Sequence, residues 1–166
     1  MGNVRLGVIG FGNMGTAHAK NVYAGKVKRM TLTAVCDIAS ARLEKAKELF
    51  PDVALFDNAE ELFGSGLCDA VIIAVPHYDH PQLVIKAFEA GLNVITEKPA
   101  GVYTKQVEEM NEVVSKSKPF MLPVMTAWES LFQPDISQFS TSHGSSGLGE
   151  DVLTRIIPRS PVRFST

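Results

Sequence analysis

Cysteine is almost missing from this chain: Cys36 and Cys68 are the only two, and they lie far apart. There is no Cys-x-x-Cys pair and no Cys/His cluster. That argues against a disulfide framework and a zinc site, and leaves both cysteines as small buried hydrophobes. Long hydrophobic runs are missing too. No apolar stretch reaches the roughly 18 residues of a membrane span. The N-terminus enters an apolar strand directly, without the basic-then-apolar pattern of a leader, so a cytoplasmic location is expected. Charge is sparse and balanced, with 16 Lys and Arg against 18 Asp and Glu. Neither nucleic acid nor an anionic membrane is therefore an expected partner. What remains is a chain of 166 residues, 45% hydrophobic, long enough for one domain with a proper core.

The most informative stretch is Val4-Arg5-Leu6-Gly7-Val8-Ile9-Gly10-Phe11-Gly12-Asn13-Met14-Gly15. A short apolar run, read as a strand over Arg5–Ile9, ends in Gly-x-Gly-x-x-Gly and passes into a helix over about Asn13–Gly25. This order of strand, glycine turn and helix start binds a dinucleotide pyrophosphate. Gly10 allows the sharp turn, Gly12 lets the backbone approach the phosphates, and Gly15 lets the helix lie close on the strand. The helix start adds unpaired N–H groups and a positive dipole end. A tight turn between strand and helix with no ligand would also use glycines.

The next strand, Thr31–Cys36, ends at Asp37, 22 residues beyond Gly15. A carboxylate there can accept from the hydroxyls of an adenosine ribose and would repel a 2′-phosphate, favouring NAD over NADP. Arg42 softens that preference, and the competing reading of Asp37 is a helix N-cap. Further along, helices are expected over Ser40–Phe50, Asn58–Phe63, His80–Ala90 and Thr104–Lys118. Strands are expected over Val53–Phe56, Ala70–Val75, Asn93–Thr96 and Phe120–Met125, the last only at an edge because of Pro123. Strand and helix alternate throughout. The expected fold class is a doubly wound α/β domain, a mainly parallel Rossmann sheet with helices on both faces. Its crevice lies at the carboxyl ends of the strands, where Gly10–Gly15, Asp37, Pro76–His80 and Glu97–Pro99 converge.

At Ala-Val-Pro-His-Tyr-Asp-His-Pro (74–81) and Glu-Ala-Gly-Leu-Asn-Val-Ile-Thr-Glu-Lys-Pro (89–99) the chain resembles the N-terminal domain of the Gfo/Idh/MocA oxidoreductases. The resemblance covers about Val4 to Lys118. It implies hydride transfer between a nicotinamide and a hydroxyl-bearing carbon of a sugar or cyclitol. It implies that Gly10, Phe11, Gly12, Asn13, Met14 and Gly15 hold the pyrophosphate and Asp37 the adenosine ribose. Pro76 and His77 would line the cofactor near the middle of the cleft, with His77 where many relatives carry asparagine. Glu97 would contact the nicotinamide ribose, and Lys98, followed by Pro99, would point at the substrate hydroxyl. A partly buried lysine there can help move the hydroxyl proton or orient the oxygen. Taken alone, Lys98 would be a solvated lysine, and His77 and His80 would be cap and turn residues. A metal role for that histidine pair has no third ligand to support it.

The family continues with a second domain that supplies the substrate pocket, an acid/base partner and usually the subunit interface. Here 48 residues follow Lys118. Eight of the twelve serines and five of the nine prolines fall in them. The reading is a dinucleotide-binding domain over 1–125 and an irregular tail over 126–166. That tail is either the product of a shifted reading frame near codon 119, the favoured explanation, or a short protein's own segment docked on the sheet or a partner. Asp135, His143 and Asp151 are nominal stand-ins for the acid/base partner, with no spacing to support them. Oligomerisation is open, since the usual interface domain is not in this chain. The alternative to a dehydrogenase part is a non-catalytic nucleotide-binding module or inactive fragment.

Overall fold

Six strands form one sheet in the computed structural model, which describes residues 3–116 and 121–123. The order along the chain is β1 (Val4–Ile9), α1 (Asn13–Tyr23), β2 (Met30–Cys36), α2 (Ser40–Leu49), β3 (Ala54–Phe56), α3 (Ala59–Gly64), β4 (Ala70–Ile73), α4 (His80–Glu89), β5 (Asn93–Thr96), α5 (Thr104–Lys116) and β6 (Met121–Pro123). In space the strands run β3-β2-β1-β4-β5-β6, and every neighbouring pair is parallel. This is the doubly wound α/β fold expected from the alternating pattern. The strand order reverses between β1 and β4, and at such a switch point the carboxyl ends of the strands open a crevice.

β4 explains why the central strands read as apolar on both faces. Strand side chains alternate between faces. Ala70 and Ile72 join a core with Leu6, Val8, Ala19 of α1 and Ala46 of α2. Val71 and Ile73 face the opposite core, with Leu62 of α3, Val84 and Phe88 of α4, and Met110 of α5. All four β4 residues are buried. A sheet covered on both sides has no polar face to spare.

The element ends differ from the sequence reading for local reasons. β4 stops at Ile73 rather than Val75. The Ala74 amide still donates to the Ile9 carbonyl, but Pro76 has no N–H to continue the ladder. α1 closes at Tyr23, and Gly25 then turns out of it at φ +69°. Pro123 is accommodated because β6 is a three-residue strand at the sheet edge. Residues 126–166, with Asp135, His143 and Asp151, lie outside the described residues. No described helix is long and apolar enough to cross a membrane.

Cys36 and Cys68 are free thiols inside the core. Burial pushes Cys36 up to about 12 and raises Cys68 above its ordinary value. A thiol that ionises less readily when folded holds on to its proton, so its stabilising share is complete below the unfolded value of 9.0. That share is lost as pH rises from there toward about 12. Native protein at about pH 8 is expected to leave both thiols unreactive toward a chromogenic disulfide, and guanidinium to release both. The urea midpoint is expected to fall as pH is raised above about 9.

Candidate cofactor site

Gly10 ends β1 with φ +88°, where side chains are strained. A Cβ on it would lie 2.7 Å from the Ala74 carbonyl oxygen, and a Cβ on Gly15 would lie 1.8 Å from the Gly10 carbonyl oxygen. These two glycines serve packing. Gly12 does not, because a Cβ there would meet nothing within 4 Å. Gly12 is the N-cap of α1 and contributes no side-chain cap. The first N–H groups of the helix therefore point, with the positive end of its dipole, at open space. Asn13 and Met14 are exposed on this turn. The Phe11 ring is not available there: it is buried edge-on against Phe50, with centroids 6.0 Å apart. Only its backbone serves the site.

That backbone fixes Asp37. The Phe11 amide donates to Asp37 Oδ2 at 2.7 Å and the Ala39 amide to Oδ1 at 2.8 Å. Arg42 Nη1 donates to Oδ2 at 3.1 Å. Asp37 is not the N-cap of α2, a position held by Ala39 without a side-chain bond. It makes an Asx-type turn two residues earlier. A carboxylate has about four acceptor sites. Three are taken, which leaves one on Oδ1, and a second becomes available if the half-exposed Arg42 swings away. A cavity of about 360 Å³ opens beside this group, lined by Gly10, Asp37, Ile38, Arg42 and Pro76 among others.

A second cavity of about 240 Å³ is lined by Met14, Pro76, His77, His80, Glu97 and Lys98, together with Ala74 and Val75. Residues 74–76 line both cavities, so the four sequence features meet along one cleft. His80 is fully buried, and its Nδ1 and Nε2 sit 2.9 Å from the carbonyl oxygens of Pro99 and Val75. Its ring braces the two loops and offers neither nitrogen to a ligand. His77 is exposed and stacks on Tyr78 at 4.4 Å. Lys98 is exposed rather than partly buried, and has no hydrogen bond or ion pair among the described residues. Among those residues no group of three or more His, Cys, Asp or Glu is placed to hold a metal.

One site residue went unnoticed in the sequence. His18, 3% exposed, lies on the buried face of α1 with Gly15, Ala19 and Val22. Its Nε2 is 2.7 Å from Glu97 Oε1. A histidine on an apolar helix stripe asks for a buried polar partner, and that was the available signal. Which carboxylate answered it only the fold could tell.

Comparison with known proteins follows this geometry. The family model described as "Oxidoreductase family, NAD-binding Rossmann fold" (GFO_IDH_MocA) matches residues 4–123. Inositol 2-dehydrogenase of Corynebacterium glutamicum (strain R) is 28% identical over 160 residues, 96% of this chain and 46% of that protein. Myo-inositol 2-dehydrogenase of Thermotoga maritima is 27% identical over 158 residues, 95% and 46% respectively. The structure of scyllo-inositol dehydrogenase from Lactobacillus casei with bound NAD(H) and scyllo-inositol superposes with a TM-score of 0.71 at 26% identity. That match covers 76% of this chain and 37% of the other. The chain thus spans about half the length of the curated relatives it matches. The alignment over 160 residues extends past Lys118, whereas the family model ends at residue 123.

The residues present fit NAD: a glycine turn with open space at Gly12, a helix start facing it, and a carboxylate at the end of β2. Replacing the two glycines separates their roles. Gly12→Ala is expected to keep its melting temperature within about 3 °C of the parent and to weaken NADH about tenfold or more by fluorescence titration. Gly15→Ala is expected to lower the melting temperature by about 8 °C or more, because backbone must move.

Proposed function

Because this chain belongs to the Gfo/Idh/MocA oxidoreductase family, with its NAD-binding Rossmann fold, we propose that it is the cofactor-binding part of a cyclitol or sugar dehydrogenase. Residues 1–125 form its dinucleotide-binding domain. The observation that carries this reading is the pair of adjoining cavities. One has Asp37 at its far end, the other has Glu97 and Lys98, and Pro76 lies between them. That is the arrangement an extended dinucleotide and a small polyol need.

NAD, when bound, supplies the hydride acceptor. The Gly10–Gly15 turn and the first N–H groups of α1 receive the pyrophosphate. Asp37 accepts from the adenosine ribose through the acceptor site left on Oδ1, and its charge turns away a 2′-phosphate. Pro76 and the exposed His77 border the middle of the cofactor. Glu97 accepts from the ribose beside the nicotinamide. Lys98, with no protein partner among the described residues, is free to hydrogen-bond the substrate hydroxyl and hand on its proton. The names of the relatives, inositol dehydrogenases, support a cyclitol as the first substrate to try.

The purified chain is titrated with NADH and NADPH, then assayed for NAD⁺ reduction across a panel of inositols and sugars. NADH is expected to saturate and NADPH to bind about tenfold more weakly or worse. Lys98→Ala is expected to lower turnover by about a hundredfold or more while leaving NADH affinity within about threefold. Saturable NADH binding with no turnover on any polyol favours the nucleotide-binding module instead. A chain that does not bind NADH overturns both.

A further inference from the structure

We propose that His18 is a positioning residue that holds the Glu97 side chain in place at the nicotinamide end of the cleft. The pair thereby sets how strongly the site prefers oxidised over reduced cofactor. The inference rests on the cofactor placement argued above.

Glu97 is tied down at two points. Its amide donates to the Ile73 carbonyl at 3.0 Å, which fixes the backbone at the end of β5 against β4. Its Oε1 sits 2.7 Å from His18 Nε2. The two side chains are 3% and 11% exposed. A carboxylate so far from water needs a hydrogen-bonding partner. His18 is its one partner among the described residues, and Oε2 accepts from none of them. Because Glu97 also lines the smaller cavity, Oε2 is the acceptor left for a ligand there. His18 comes three residues after Gly15 on α1, the helix that faces the phosphates.

The consequence is electrostatic. An oxidised nicotinamide ring carries a positive charge that the reduced ring lacks. A fixed negative charge in a poorly hydrated cavity favours the former. Removing the histidine leaves a buried carboxylate without its donor, which is then no longer held in place. The site then loses its preference for NAD⁺. The adenosine end, built on Asp37 and the glycine turn, is untouched.

The test compares NAD⁺, NADH and ADP dissociation constants for the parent chain, His18→Leu, His18→Gln and Glu97→Gln. Melting temperature and circular dichroism check the fold of each variant. His18→Leu is expected to weaken NAD⁺ about tenfold or more and NADH about threefold or less, with ADP unchanged. His18→Gln, which can still donate from a planar amide, is expected to restore the parent NAD⁺ to NADH ratio. Glu97→Gln keeps the shape without the charge, and is expected to shift the ratio as His18→Leu does. It gives the answer even if His18→Leu fails to fold. A parent chain that binds neither NAD⁺ nor NADH defeats the cofactor placement itself. A parent that binds both, with an unchanged ratio in Glu97→Gln, overturns the role of the pair and leaves the placement standing.

Discussion

The contact between Gly15 and the carbonyl oxygen of Gly10 sets the geometry of everything around it. A Cβ on Gly15 would lie 1.8 Å from that oxygen, so α1 can lie this close to β1 only with glycine there. The close approach aims the start of α1 at the open space before Gly12. It also holds the turn where the Phe11 amide reaches Asp37 across to the end of β2 and the Gly10 amide reaches the Cys36 carbonyl. β1 lies between β2 and β4 at the reversal of strand order. One tight turn therefore touches both halves of the sheet. Its partners, Asp37 on one side and the Ala74–Pro76 segment on the other, are neighbours of the same crevice.

Two buried carboxylates mark the ends of that crevice, and the fold supports them differently. Asp37 takes three donors, two of them backbone amides of the turns beside it. Backbone amides are fixed once the turns form, so its orientation follows from the sheet. The Glu97 carboxylate takes one donor among the described residues, a side chain from α1. Its orientation depends on a distant packing relation between α1 and the end of β5. His80 plays the complementary part between loops. Its two nitrogens reach the carbonyl oxygens of Val75 and Pro99, joining the end of β4 to the Glu-Lys-Pro turn. Because 74–76 line both cavities, fixing these loops fixes where the two cavities meet.

What the sequence made legible was the part encoded by local spacing. The glycine turn, Asp37 at the tip of β2, the doubly apolar β4 and the edge placement of Pro123 all follow from short-range rules of backbone and periodicity. Side-chain direction was less legible. Phe11 sits inside the glycine motif, yet its ring belongs to the core with Phe50, because the residue between two site glycines can face either way. His80 read as a cap or turn residue, and its ring nitrogens instead meet two carbonyl oxygens, one of them on a loop nineteen residues away. The histidine on the apolar stripe of α1 was a legible signal, but Glu97 as a partner of His18 was not, lying 79 residues away. Lys98 was expected to be partly buried and is exposed. Nothing in a tripeptide says what lies above it.

Lys98 and Glu97 are adjacent in sequence yet opposite in environment, and that contrast follows from the end of a parallel strand. Successive residues leaving β5 point to opposite sides. Glu97 turns inward, where burial demands a partner and α1 supplies one. Lys98 turns outward over the carboxyl ends of the strands, where no described residue competes for it. The chain thus carries a held carboxylate and, one residue on, a cation with no partner among the described residues. Placing them one residue apart on a rigid strand end makes the position of one set the reach of the other. The bond from the Glu97 amide to the Ile73 carbonyl anchors that strand end against β4.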